Sequence, residues 1–228
     1  MIKPKTEPYI ELLSWYGWLS TTHLATLTGN PEYSVRRHLL ALEKGGWITS
    51  RRVSVDRINP SGLGSAPKLW RLSEATCKQR KEALAAWPNN LAHDYRVRDV
   101  LAWGVTNGAT RIAYKGLEWT NVTPDALVII PQPECPFCGI VEVDRHTEGL
   151  RVWEQKADAY AVFFAGKPSG LYDATDCAVP TLLIVVESTA RIPGIARSIG
   201  VLDQLAWFTT DLITWTNQGE VKPLLPPA

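Results

Sequence analysis

Apolar positions along the first ninety residues recur mostly at helical spacing. From Glu7 to Trp18 they fall at Ile10, Leu13 and Trp15 or Tyr16, which predicts a first helix. "STTHLATLTG" predicts a short second helix, with Ser20 or Thr21 as its cap and Gly29 closing it. "NPEYSVRRHLLALEKGG" gives the clearest pattern. It has Asn30 as a cap, Pro31 at the first turn, Val35, Leu39 and Leu42 on one face, and a glycine pair as a stop. The period then shortens. "WITSRRVSV" and "LWRLSE" read as strands on either side of the loop "DRINPSGLGSAPK". "ATCKQRKEALAAWPNN" reads as a linking helix ended by Pro88.

The rest of the chain alternates more regularly between the two periods. "NNLAHDYRVRDVLAWGVTNG" predicts a helix with Leu91, Tyr95, Val100 and Leu101 inward, closed by Gly108. "RIAYKGLEW", "PDALVII" and "GIVEVDRH" predict three strands, the last two joined by "PQPECPFC". "GLRVWEQKADAYAVFFAG" is an amphipathic helix, with Trp153, Tyr160, Phe163 and Phe164 as core. "PTLLIVVES" is a continuous apolar strand suited to a sheet centre. "ARSIGVLDQLAWFTT" predicts a further helix and "LITWTN" a last strand, before the tail "KPLLPPA".

Three helices followed by a two-stranded hairpin is the order of a winged helix-turn-helix, in which the third helix enters the major groove and the hairpin loop is the wing. The expected fold class is therefore a two-domain α+β and α/β chain. Residues 1–73 form a winged-helix domain, 74–90 a linking helix, and 91–228 an αβββαβ sandwich. Charge sharpens the division. The net charge is +1, yet residues 1–90 hold 13 Lys and Arg against 7 Asp and Glu, while residues 91–228 hold 11 against 16. Tyr33, Ser34, Arg36, Arg37 and Lys44 lie off the apolar stripe of the third helix, and Arg51, Arg52, Arg57 and Lys68 lie on or beside the wing. Basic side chains on both elements suit phosphate neutralisation and predict double-stranded DNA as partner. The other reading is a winged helix that binds protein and merely solvates its surface with these charges.

The strand around Glu142 poses a different problem. Glu142 and Asp144 are two residues apart and point to the same face of an otherwise apolar strand. If "PDALVII" and "GIVEVDRH" pair as an antiparallel hairpin, Asp125 at the start of one comes beside Glu142 and Asp144 at the end of the other. Three carboxylates then meet at one sheet edge, an oxygen cluster of the kind that holds hard divalent cations such as Mg²⁺, and one Mg²⁺ can activate water against a phosphodiester. The alternative is that Asp125, Glu142 and Asp144 pair with Arg145, Lys156 or His93 and only hold the sheet.

"PDALV" followed by "EVDR" within αβββαβ resembles the PD-(D/E)XK nuclease superfamily. More narrowly, "LAHDYRVRDVL", "EW…TPDALV", "VEVDRHTEG" and "KADAY", behind an N-terminal winged helix, resemble the replication-relaxation family of plasmids and other bacterial mobile elements, over roughly residues 7 to 190. The resemblance implies Asp125 and Glu142 as Mg²⁺ ligands and a DNA-binding role in plasmid replication, relaxation or its control. It also implies a lysine two residues after the glutamate, where this chain has Asp144. Lys156, early in the next helix, is the candidate displaced lysine, whereas Arg145 points to the opposite face. The catalytic set under this resemblance is Asp125, Glu142, Asp144 and Lys156, in a nuclease-like domain that is either degenerate or an active endonuclease or nickase.

Cys135 and Cys138 in "ECPFCG" have the spacing of a zinc knuckle, for which Cys77, Cys177, His146 or a second copy of the chain would supply the missing ligands. The alternative is a plain hairpin tip. The helix "RSIGVLDQLAWFTT" is apolar enough for a homodimer face, though core packing accounts for it as well. With no apolar signal region and no run of about 20 apolar residues, the chain is expected to be cytoplasmic, with no membrane partner. A third reading is a protein-binding adaptor of a replication or transfer complex.

Overall fold

The computed structural model describes residues 6–54, 67–109, 111–113, 122–131, 136–145, 148–166, 181–200, 202 and 206–209. Two sheets and, among the described residues, seven α-helices make a mixed α and β protein. The chain divides into two compact units, residues 1–102 and 103–228. No helix among the described residues is long and apolar enough to cross a membrane.

In the first unit α1 (Glu7–Tyr16) buries Tyr9, Ile10 and Leu13. It ends two residues earlier than its apolar pattern suggests, because Gly17 adopts φ 75°, a conformation costly for a residue with a Cβ. Trp18–Ser20 then forms β1, a strand the sequence pattern did not indicate, paired antiparallel with Arg71, Trp70 and Leu69. Helix α2 (Thr21–Thr28) starts on a reciprocal cap. The His23 N–H donates to Ser20 Oγ (3.1 Å), and the Ser20 N–H donates to His23 Nδ1 (3.2 Å). Helix α3 (Glu32–Lys44) buries Val35, Leu39 and Leu42 as expected, but its cap is Pro31 with no side-chain bond. The Asn30 amide donates to the Tyr9 hydroxyl instead (3.4 Å).

Strands β2 (Ile48–Arg52) and β3 (Lys68–Leu72) pair antiparallel with Ser50 opposite Trp70, and the sheet order is β1-β3-β2. The loop between them, with Arg57, lies outside the described residues. The linking helix is far shorter than expected. Helix α4 (Glu74–Arg80) stops at Lys81, whose φ is 58°, and the Glu82 N–H closes the end on the Cys77 carbonyl (2.9 Å). Residues 82–88 have helical composition but no regular structure, because tertiary partners claim them. The Ala85 carbonyl accepts from Arg71 Nη1 (2.5 Å), and the Arg71 guanidinium lies 4.4 Å from the Trp87 ring centre.

Helix α5 (Leu91–Thr106) starts where expected, yet the division between units falls inside it, after Ala102, and not at Asn89 and Asn90. Its first three turns are tied to the first unit. The buried Arg98 donates to the carbonyls of Trp18 (3.3 Å) and Tyr16 (3.0 Å). The Tyr95 hydroxyl donates to Ser20 Oγ (3.2 Å). Because His23 Nδ1 accepts from Ser20, its Nε2–H is the atom that donates to Asp99 (2.9 Å).

In the second unit β4 (Arg111–Ala113), β5 (Ala126–Ile130), β6 (Phe137–Asp144), β7 (Thr181–Val186) and β8 (Ala206–Thr209) form one sheet in chain order. The β4–β5 and β5–β6 pairs are antiparallel, and β6–β7 and β7–β8 are parallel. A parallel neighbour demands a crossover, which α6 (Leu150–Ala165) supplies between β6 and β7. Trp153, Ala157, Tyr160 and Phe163 of α6 are buried in one core cluster with Ile140, Ile184 and others of the sheet. Each fully buried Ile or Leu there contributes about 1.5–3 kcal/mol. All eight residues of β6 are buried, which is the environment that makes Glu142 and Asp144 demanding. The last predicted helix is a correction. Helix α7 (Ile192–Ile199) stops at Gly200, φ 55°, and Ala206–Thr209 turns into strand β8 beside β7. The "LITWTN" strand lies outside the described residues.

Candidate functional site

The antiparallel β5–β6 register puts Ala126 opposite Val141, so Asp125 stands beside Glu142. Asp125 continues the ladder with its N–H on the Val141 carbonyl (3.0 Å), while its Oδ2 accepts the Val143 N–H (2.8 Å). Glu142 is 2% exposed and would be prohibitive there without partners. Both its oxygens are satisfied. Oε2 accepts from Lys156 Nζ (2.8 Å) and Oε1 from the Tyr160 hydroxyl (2.5 Å). Lys156 and Tyr160 are one helical turn apart on α6 and so share the face turned to β6. The Lys156 ammonium is shared with Glu148 (3.0 Å) and lies 4.9 Å from the Trp153 ring centre.

The electrostatics of this group follow from burial. Desolvation pushes the Glu142 carboxyl up to about 7; Lys156 opposes that rise and the neighbouring Asp125 adds to it. Desolvation also raises Tyr160 well above the ordinary phenol, reinforced by Glu142 and Asp125. For Lys156 burial works against the charge, but Glu142 and Glu148 outweigh it and the ammonium is held above its usual value.

Asp144 does not join this group. It is 0% exposed and is clamped by Arg191, whose Nε (2.8 Å) and Nη2 (3.3 Å) reach its two oxygens. Arg191 Nη2 also donates to the Glu148 carbonyl. Arg145, one residue on and on the other face, pairs with Glu187 (2.6 Å). Among the described residues no three His, Cys, Asp or Glu side chains gather as a metal-binding group. Of the four residues predicted for catalysis, Asp125, Glu142 and Lys156 are neighbours and Asp144 is withdrawn. Arg191 was missed, and only the parallel pairing of Asp144 with Val186 reveals that the chain beyond β7 passes next to Asp144.

Cys138 is buried within β6, opposite Ile129 and in the core cluster, so it is not at the hairpin tip. Cys135, His146 and Cys177 lie outside the described residues. His93 is half-buried, with Nδ1 3.7 Å from Asp94.

In the first unit α3 carries a second candidate surface. Tyr33 is 77% exposed, Arg36, Arg37 and Lys44 are exposed, and Ser34 is half-buried. Leu40, 47% exposed, belongs to the same stripe; the sequence pattern signalled it only by its spacing from Tyr33. Arg51 and Arg52 are both exposed, but as successive strand residues they face opposite sides of the hairpin. Arg52 shares the α3 side with Ser50 and Lys68, while Arg51 lines a cleft with Trp87, Asn89 and Leu91. Lys68 is already engaged. Its ammonium meets Glu43 (2.9 Å) and lies 4.2 Å from the Trp70 ring centre, and Ser50 donates to the same carboxylate. Burial works to raise the Glu43 carboxyl, but these donors hold it below the usual value. Arg36, Arg37, Lys44, Arg51 and Arg52, by contrast, make no ion pair among the described residues. Comparison with known proteins returns no match, whether to family models, to curated proteins or to solved structures.

Proposed function

We propose that the protein binds double-stranded DNA through its first unit, read as a winged helix with α3 as the groove-facing element. The carrying observation is the stripe of α3 whose cations are exposed and make no ion pair among the described residues, while the nearby Lys68 has one. Cations kept apart from carboxylates are available to displace the counter-ions of a phosphate backbone. The resemblance of "LAHDYRVRDVL" and "VEVDRHTEG" to the replication-relaxation family supports a place in the replication or relaxation of a bacterial plasmid or mobile element. Under this reading the second unit is a nuclease-like scaffold. The test is a duplex titration over a range of salt. Affinity that falls steeply with salt and drops in the Arg36→Ala/Arg37→Ala double variant supports it; unchanged binding by that variant removes α3 from the interface.

A second reading has one observation in its favour. Lys156 lies 2.8 Å from Glu142, where a displaced nuclease lysine belongs. Asp125 and Glu142 would then hold Mg²⁺ once Glu142 yields one of its donors, and the second unit would be a metal-dependent nuclease or nickase. Incubation of supercoiled plasmid with Mg²⁺ or Mn²⁺ decides this. Nicked circles from the wild type and none from Asp125→Ala/Glu142→Ala support an enzyme. Bound but intact plasmid opposes one.

A further inference from the structure

We propose that Tyr33 and Leu40 are the base-reading residues of α3, and that the duplex this protein selects presents thymine methyl groups to them in the major groove. The inference rests on the DNA-binding reading above and adds what is recognised. Residues 33, 37, 40 and 44 are spaced four, three and four along α3, so they form a single stripe with Arg36 beside it, opposite the buried Val35, Leu39 and Leu42. Glu32, the acid in the first turn, sits about a quarter-turn off that stripe and one helical turn before Arg36, with no ion pair between the two.

A single exposed apolar side chain needs no explanation. Here two stand in a row whose other members are Arg37 and Lys44, flanked by Arg36, and the composition of the stripe names its occupant. The cations complement phosphates on the walls of a groove. Leu40, at the middle of the row, has no polar atom to offer a base edge and meets the one apolar feature the major groove displays, the C5 methyl of thymine. Tyr33 lies in the first turn of α3, the part of a groove-bound helix that comes nearest the bases. A protein partner of ordinary composition would not require three exposed cations, without an ion pair among the described residues, around this apolar pair.

The experiment uses the full chain and a random-sequence duplex pool, followed by replacement of each thymine in the enriched duplex by uracil, which removes only the methyl. Both Leu40→Ala and Tyr33→Ala preserve helix propensity, so folding is not at stake. The expected result is a loss of about three- to fivefold at one or two uracil positions, the scale of one desolvated methyl. Leu40→Ala or Tyr33→Ala should bind the thymine and uracil forms of that position equally, with the salt slope unchanged. Leu40→Met should restore the discrimination, and Arg36→Ala should instead lower the slope by about one. A uracil effect that persists in both alanine variants overturns the inference, as does an enriched duplex indifferent to uracil. Retention of DNA without enrichment also overturns it, while leaving DNA binding in place. Retention of no duplex at low salt removes the DNA-binding reading and this inference with it.

Discussion

The two units use their cations in opposite ways. On α3 the charges of Arg36, Arg37 and Lys44 are exposed and make no ion pair among the described residues. Under α6 and after β7, Lys156 and Arg191 are each committed to an acid that is almost fully buried in β6. A surface ion pair contributes little, so leaving α3 unpaired costs the fold almost nothing and leaves its cations free for a partner. A carboxylate inside a sheet leaves no such latitude, because without its partner it keeps a charge that water cannot reach. Under the proposed function, substitutions on α3 should change DNA binding and spare stability, while those around β6 should do the reverse.

Breaking the Asp144–Arg191 clamp should have the largest effect. Arg191→Ala is expected to destabilise by roughly 3–5 kcal/mol in denaturant titration, since the Asp144 charge stays behind unpaired. The double variant Arg191→Met/Asp144→Leu should recover most of that loss; a double variant no better than the single would argue against the ion pair as the cause.

Next comes pH. Glu142 is raised in the folded protein to about 7 from an ordinary carboxyl of 4.5, so the folded state holds its proton more tightly than the unfolded. Its contribution to stability is complete below about pH 4.5 and is lost as pH rises through about 7, with a magnitude on the order of 1–3 kcal/mol. Glu142→Gln should flatten the stability profile in that window. An unaltered profile would place the titration elsewhere.

The Arg36→Ala/Arg37→Ala variant should leave stability within about 0.5 kcal/mol of wild type and reduce the salt slope of DNA binding by roughly two. Lys68→Ala sits between the two regimes. Glu43 holds it at the surface, so it should cost about 0–1 kcal/mol and alter the salt slope less than either arginine of α3.

Much of the arrangement was legible because it depends on local period. The buried face of α3, the buried face of α6 and the β5–β6 hairpin that sets Asp125 beside Glu142 all follow from apolar spacing and the order of the strands. The failures share a cause. The helix expected over 74–90 ends at Lys81 because Arg71, in a neighbouring strand, takes the Ala85 carbonyl and stacks on Trp87. The strand at Trp18–Ser20 exists because β3 offers it an edge, and the strand at Ala206–Thr209 because β7 does. Propensity within a segment carries no record of a partner elsewhere in the chain, whether fourteen residues away, as Arg71 is from Ala85, or fifty-three, as Trp18 is from Arg71.

The sequence by itself determined where charge is excluded from the core and where it is concentrated: a basic first unit, and two acids among β-branched residues at Glu142 and Asp144. Which cation answers each acid was decided only by tertiary structure. Lys156 reaches Glu142 because a right-sized crossover helix brings its first two turns over β6, and Arg191 reaches Asp144 because β7 runs parallel to β6 and ends beside it. Composition sets the demand for a counter-charge. Only the parallel register of β6 and β7, with the crossover helix it demands, determines which residue meets it.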